Sequence, residues 1–217
     1  NIRYGARIGK GCRIFPGAVI AGIPQDLKFK GEDSLAIIGD NTTVRECATV
    51  NRGTASKGYT KVGSSCLLMA YSHVAHDCVV EDYVILGNAT QLAGEVEVNH
   101  HAILSAGTLV HQLSRLGAHV MIQGGTRLGK DIPPYTIAGR EPVCYSGVNL
   151  VGLRRNGFSN EKINEIQEIY RTIYQAGFNF SDAIIKIEKE FEETPEMRLI
   201  VDFIKSSPRG IVRGYMG

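Results

Sequence analysis

The residues best suited to chemistry cluster in Tyr71-Ser72-His73-Val74-Ala75-His76-Asp77-Cys78. A neutral imidazole can take a proton from a hydroxyl near neutral pH. A carboxylate beside it can orient the ring and stabilise its charged form. His76, Gly94 and Gln112 then stand at intervals of 18, with His111 next to Gln112. Glycine lets a reacting group come close to a backbone N–H, which is what a developing oxyanion needs. His73 lies between two residues expected to face inward, Ser72 and Val74, so it is expected to point out. A base, its carboxylate partner and an oxyanion donor in one column suit acyl transfer to a hydroxyl. Mere solvation explains one corner histidine, but not three converging with an aspartate and a glycine.

The spacing of 18 has meaning only on a coil of that period. Aliphatic residues recur every six positions from Val62 to Leu128: Val62, Leu68, Val74, Val80, Leu86, Leu92, Val98, Leu104, Val110, Leu116, Ile122 and Leu128. Ile2, Ile8, Ile14, Ile20, Ile38, Val44 and Val50 keep the same phase. Neither the helical period of 3.6 nor the strand period of 2 gives such a ladder. Short strands joined by corners, three to a coil, do so in a parallel β-helix. Coils then stack at ~4.8 Å, so residues one coil apart lie above one another. The residue two before the ladder position is usually small, as at Ala18, Cys66, Ser72, Cys78 and Thr90, and suits a narrow interior. Glycine follows the ladder residue at Gly9, Gly39, Gly63, Gly87, Gly117 and Gly129. These glycines are expected to supply unusual backbone angles at corners.

In chain order, the sequence predicts a β-helix over 1–134 with extruded loops at 21–36 and 51–61. Since loops on a rigid scaffold carry function, Asp26 and Lys28 in the first loop are candidates. Asp131-Ile132-Pro133-Pro134 is expected to end the ladder. A connector follows over 135–156, then a small helical domain over 157–217. Its helices are expected to be capped by Ser159, Ser181 and Thr194, the last with proline at the first helical position. The chain starts at Asn1 already in ladder phase, so further N-terminal coils are expected.

Composition excludes some partners. Lys and Arg total 24 against 22 acidic residues, a net +2, which gives no pull towards nucleic acid or membrane. No apolar run approaches ~18 residues, so no transmembrane helix is expected. The five cysteines form no Cys-x-x-Cys pair. Three of them, Cys12, Cys66 and Cys78, fall on the small inward position of the ladder and read as buried space-fillers in a reducing, cytoplasmic setting.

His73-Val74-Ala75-His76-Asp77-Cys78 resembles the left-handed β-helix acyltransferases, and among them the UDP-N-acetylglucosamine O-acyltransferases of lipid A synthesis. Further shared motifs are Gln25-Asp26-Leu27-Lys28, Asn51-Arg52-Gly53-Thr54, Leu92-Ala93-Gly94, Val110-His111-Gln112, Asp131 to Tyr135, and Gly147 to Phe158. The resemblance spans nearly the whole chain. It implies a mainly β fold, a left-handed parallel β-helix of hexapeptide repeats followed by a small C-terminal α-helical domain. It implies transfer of a 3-hydroxyacyl chain from acyl carrier protein to the 3-hydroxyl of UDP-N-acetylglucosamine. His76 is then the general base, Asp77 its partner and the Gly94 N–H the oxyanion donor. Asp26, Lys28, His73, His111 and Gln112 line the substrate cleft. Asn149, Arg154 and Arg155 lie near phosphate, and Gly124 near the end of an acyl channel. The resemblance also implies a cytoplasmic homotrimer that needs no metal and no cofactor beyond the phosphopantetheine of the carrier. Glu95, Asn51 and Val151 depart from the family pattern.

Other readings use the same scaffold. An N-acyltransferase on acylated UDP-glucosamine or a coenzyme A-dependent acetyltransferase would lack the Gln25–Lys28 loop and the three-helix tail. A zinc hydratase would need His73, His76 and His111 as ligands, yet His111 lies two strand spacings away, near ~10 Å. A non-catalytic solenoid would leave the polar column without a purpose.

Overall fold

A computed structural model describes residues 1–214 of the chain. The last three residues of the expected helical domain lie outside the described set.

Each strand of the rod pairs in parallel with the strand one coil away, and three sheets result. One sheet contains Thr49–Asn51, His73–Val74, Gln91–Leu92, Leu109–Val110 and Arg127–Leu128. Its register sets Thr49 against His73, His73 against Gln91 and Gln91 against Leu109. In these two-residue strands the ladder residue turns inward and its predecessor outward, as strand alternation requires. All twelve ladder residues from Val62 to Leu128 are buried, and so are Cys66, Ser72, Cys78 and Thr90 two places before theirs. The mainly β coil of hexads with C-terminal helices is therefore the fold predicted from the period. Ile2 differs: it is 59% exposed, because it stands at the end of the stack, bridged only to Ile20 among the described residues.

The corners overturn one expectation. None of Gly9, Gly39, Gly63, Gly87, Gly117 and Gly129 has positive φ. Along the regular coils the left-handed residue is instead the third after the ladder position, including Ser65, Tyr71, Asp77, Tyr83, Glu95, His101 and His119 at φ 55–62. The glycines answer to crowding from the next coil. A Cβ at Gly39 would stand 2.5 Å from the Gly63 carbonyl carbon, and one at Gly87 would stand 2.6 Å from the Ala106 nitrogen. Gly129, near the end of the rod, has nothing within 4 Å.

The pairing also runs past the prolines. Ile132 bridges to Leu116, and Thr136–Gly139 pairs in parallel with Met121–Ile122. Ile132 N–H and Tyr135 N–H donate the bonds at that corner, so Pro133 and Pro134 remove no donor the ladder uses. This last coil is two residues shorter than 18, which is why the hexad phase is lost there while the strand continues. Cys144–Val148 then turns back antiparallel on Thr136–Gly139 and covers the sheet end. The expected connector thus contains two strands and a short helix.

That helix, α1 (Leu150–Arg155), is capped by Asn149. α2 (Asn160–Tyr174) is capped by Ser159, and α4 (Pro195–Lys205) by Thr194 with Pro195 in its first turn. α3 (Phe180–Glu190) is capped by Asn179 rather than Ser181: the Asn179 side chain accepts from Asp182 N–H, and Ser181 already lies inside the helix. Ile163, Ile166, Tyr170, Ile173, Ile184, Ile187, Ile200 and Phe203 form the helical core, together with Tyr135, Val148 and Leu153 from the preceding segment. The chain then returns to the rod, where Ile211 bridges Asp131 and Val212 joins the rod core.

Candidate active site

His76 is the second residue after ladder residue Val74, and Asp77 is the third. The left-handed turn at Asp77, φ 60, folds its carboxylate back onto its own neighbour. His76 Nδ1 lies 2.9 Å from Asp77 Oδ2. The His76 side chain is 17% exposed, while that of Asp77 is fully buried. With Nδ1 donating to Asp77, Nε2 is left as the basic nitrogen, facing the neighbouring corner.

A buried carboxylate needs several donors, and the second extruded loop provides them. Thr54 N–H and Lys57 N–H reach Asp77 Oδ1 at 2.9 and 3.2 Å, and the Thr54 hydroxyl reaches Oδ2 at 2.6 Å. Burial by itself would raise the Asp77 pKa. The bonds from the Thr54 hydroxyl, the His76 ring and the two N–H groups outweigh it and hold the carboxyl below its usual range. In the sequence Thr54 stands out only as part of the Asn51-Arg52-Gly53-Thr54 motif. Nothing in the hexad pattern says that the loop folds back onto Asp77.

Gly94 lies one coil on, under the His76 ring. A Cβ there would come within 2.5 Å of His76 Cε1 and 2.6 Å of Nε2. The N–H groups of His76, Gly94 and Gln112 stay out of the coil's hydrogen bonding, because the ladder uses the residues on either side. Among the three, only Gly94 has no side chain to shield that N–H. The residues expected to act as base, partner and oxyanion donor are thus in contact.

The cleft around them, about 560 Å³, is lined by Gln25, Asp26, Leu27, Lys28, His76, Gly94, Glu95, Gln112 and Leu113. Asp26 and Lys28 from the first loop and Gln112 from the rod are therefore brought to the base from two separate stretches. Asp26 Oδ1 accepts from Lys28 N–H at 2.9 Å, which fixes the tip of the first loop. Glu95, given no role from sequence, accepts from the Ser56 hydroxyl at 3.2 Å and faces the same cleft.

The remaining candidates lie outside that lining. His73 is half-buried on the sheet face, with Nδ1 2.6 Å from Thr49 Oγ1. Burial first, and the nearby His76 second, lower its pKa. His111 is exposed, with Nδ1 3.0 Å from the Gln112 carbonyl. Asn149 is only 6% exposed and committed to the fold: its Oδ1 accepts from Gly152 N–H, and its Nδ2 donates to the His119 carbonyl. Its structural duty is to hold α1, which carries the exposed Arg154 and Arg155 in its last turn. Gly124 is exposed on the corner column of Ala70, Asn88 and Ala106.

A hexad coil that stacks a His–Asp pair over a bare glycine corner defines an acyltransferase of the hexapeptide-repeat class. The bacterial transferase hexapeptide family (six repeats) matches residues 59–94. Residues 131–212 match the second domain of UDP-N-acetylglucosamine O-acyltransferase. The chain is 40% identical over 206 residues to the acyl-[acyl-carrier-protein]--UDP-N-acetylglucosamine O-acyltransferase of Janthinobacterium sp. (strain Marseille), covering 93% of this chain and 79% of that protein. The enzyme of that description from Halorhodospira halophila is also 40% identical, over 95% of this chain and 81% of its own. Among solved structures, the UDP-N-acetylglucosamine acyltransferase from Bacteroides fragilis 9343 superposes with a TM-score of 0.97 at 60% identity, covering 98% of this chain and 84% of that one. That of Francisella novicida gives 0.93 at 40% identity, covering 96% and 77%. The chain belongs to the UDP-N-acetylglucosamine O-acyltransferase family.

Proposed function

We propose that the protein transfers a 3-hydroxyacyl chain from acyl carrier protein to the 3-hydroxyl of UDP-N-acetylglucosamine, the first step of lipid A synthesis. One observation carries the mechanism: His76 bonds Asp77 through Nδ1 and covers Gly94 with the rest of its ring. His76 Nε2 takes the proton of the sugar hydroxyl as its oxygen attacks the thioester carbonyl. Asp77, held ionised by Thr54 and Lys57, stabilises the imidazolium. The Gly94 N–H donates to the tetrahedral oxyanion. On collapse the carbon–sulfur bond breaks, and the phosphopantetheine thiolate takes the proton back from His76. Atoms and charge balance with no cofactor beyond the carrier's own arm.

Lys28 and Asp26 at the loop tip and Gln112 across the cleft are assigned to the sugar nucleotide. His73 and His111 belong to the outer wall. Arg154 and Arg155 serve a phosphate of the nucleotide or carrier, for which the guanidinium fork is suited. The helices of the described residues include none long and apolar enough to cross a membrane. A cytoplasmic place fits the carrier substrate and the five free thiols.

The chain is assigned to a homotrimer, because the polar column forms only one wall and the sheet beside it exposes Leu109, next to exposed Leu113. Light scattering that finds a stable, active monomer would refute this. For the reaction, the mass of the product from UDP-N-acetylglucosamine and mixed acyl carrier thioesters is decisive. An O-acylated nucleotide sugar is expected. Turnover only with acetyl-coenzyme A would replace the reading with that of a coenzyme A-dependent acetyltransferase.

A further inference from the structure

A second group of imidazoles occupies a different corner of the rod. His100 and His101 follow Glu97–Val98, and His119 follows Arg115–Leu116 one coil on. His100 Nδ1 and His101 Nδ1 are 3.1 Å apart. One ring nitrogen from each of the three lies within 4.8 Å of the others, and no other group of potential ligands among the described residues is gathered in this way. His119 is 6% exposed, and its Nδ1 has no hydrogen-bond partner. A buried polar nitrogen in that position is costly unless something fills it. The acyl-transfer reading uses none of these residues.

We propose that His100, His101 and His119 bind a divalent transition-metal ion, zinc foremost, through three neutral imidazole nitrogens with the fourth position open to water. Two nitrogens at ~2.0–2.1 Å from a tetrahedral zinc stand roughly 3.3–3.4 Å apart. The His100–His101 pair is already near that separation. Bringing in His119 takes a shift on the order of 1 Å by this geometry. His101 is stacked on His119 at 4.7 Å and must tilt out of that stack, while His100 stands edge-on to both rings. His100 and His101 are half-buried, with His101 also stacked on Tyr83 at 4.7 Å, whereas His119 is held between Tyr135 and Phe158.

The lone pairs are available. Burial first, then His101 and His100, push the His119 pKa down to about 4, and burial followed by His100 lowers that of His101. Carboxylates are absent from the donor set. Glu81 is taken by the His100 N–H and Asp82 by the Ser64 N–H. An all-imidazole set suits zinc, copper or nickel over magnesium or calcium. Bound metal would tie two successive coils together. It would also hold the residue whose carbonyl accepts from Nδ2 of Asn149, the cap of α1.

The test uses the full chain, stripped with a chelator and titrated with Co²⁺ and then Zn²⁺. One Co²⁺ per chain is expected, with the visible bands of a four-coordinate site, displaced by Zn²⁺. At an ion concentration ~100 times Kd, Tm should rise by about 5–10 °C. His101→Asn suits the left-handed backbone there, φ 59, and His100→Ala is half-exposed. Both should keep the apo Tm, lose the bands and bind roughly 100-fold more weakly. His76→Ala should keep the bands. No saturable Co²⁺ band in the wild type overturns the proposal. So does wild-type affinity in both variants, or loss of the bands in His76→Ala, which would move the ion to the acyl-transfer cleft.

Discussion

At the scale of single residues, the active site depends on a proton acceptor whose orientation is fixed from behind. His76→Ala should lower kcat/KM by about 10²–10⁴-fold in a protein that still folds, since Asp77 keeps its three bonds from Thr54 and Lys57 when the ring is removed. Comparable turnover in a folded variant would remove His76 from the mechanism. Thr54 gives the sharper test because its hydroxyl donates to the carboxylate and makes no contact with the reacting groups. Asp77 has a depressed pKa in the folded state, so its contribution to stability is present above the unfolded value, near 3.9. It is lost as pH falls through the lower folded value. Thr54→Val removes the strongest bond that lowers this pKa. The acid unfolding midpoint should move up in pH, and stability at pH 7 should fall by about 1.5–3 kcal/mol. Urea unfolding across the pH range measures both effects.

At the scale of elements, the rod's tolerance for side chains is set by how closely coils approach. A Cβ at Gly87 would press on Ala106 nitrogen and Leu104 oxygen, which are backbone atoms that cannot step aside. Gly87→Ala should therefore cost about 1–3 kcal/mol. Gly129→Ala meets open space and should change stability by no more than ~0.5 kcal/mol. Equal effects in thermal unfolding would return these glycines to a conformational role. The helical part follows local rules more fully: Ser159 and Thr194 cap as their positions predict. Asn179 displaces Ser181 because a side-chain acceptor outside the first turn reaches its N–H groups, whereas one within the turn does not. α1 escapes the hydrophobic pattern because it is short and buries only Leu153.

At the scale of the whole molecule, a long acyl chain needs a groove along the rod. The column Ala70, Asn88, Ala106 and Gly124 carries no bulky side chain. A Cβ at Gly124 would meet only the Ala106 oxygen at 3.2 Å and the Ser105 Cβ at 3.9 Å, so a side chain there can extend outward. Gly124→Met should block the last methylenes of a chain that ends at this corner. At ~0.8 kcal/mol per methylene, losing two or three shifts selectivity by roughly 10–50-fold towards shorter donors. Competition between carrier thioesters of different length gives the answer, and an unchanged preference would leave this column a packing role.

The sequence by itself determined the rod, because a six-residue period admits one solution: each ladder residue must be buried, and every third hexad must lie over the first. That period alone puts His76 above Gly94 and Gln112. Local chemistry likewise determined two of the helix starts. Where the period lapses, at the two loops and after Leu128, only the tertiary structure decides. It folds Thr54 and Lys57 onto Asp77, brings Asp26 and Lys28 to the base and carries the sheet on to Gly139. It also spends Asn149 on a helix cap and a carbonyl, a use that no spacing announces. The physical reason is the same in each case. A repeat encodes contacts at fixed separations, whereas a loop's contacts depend on which buried donors and acceptors still lack partners once the coil has formed.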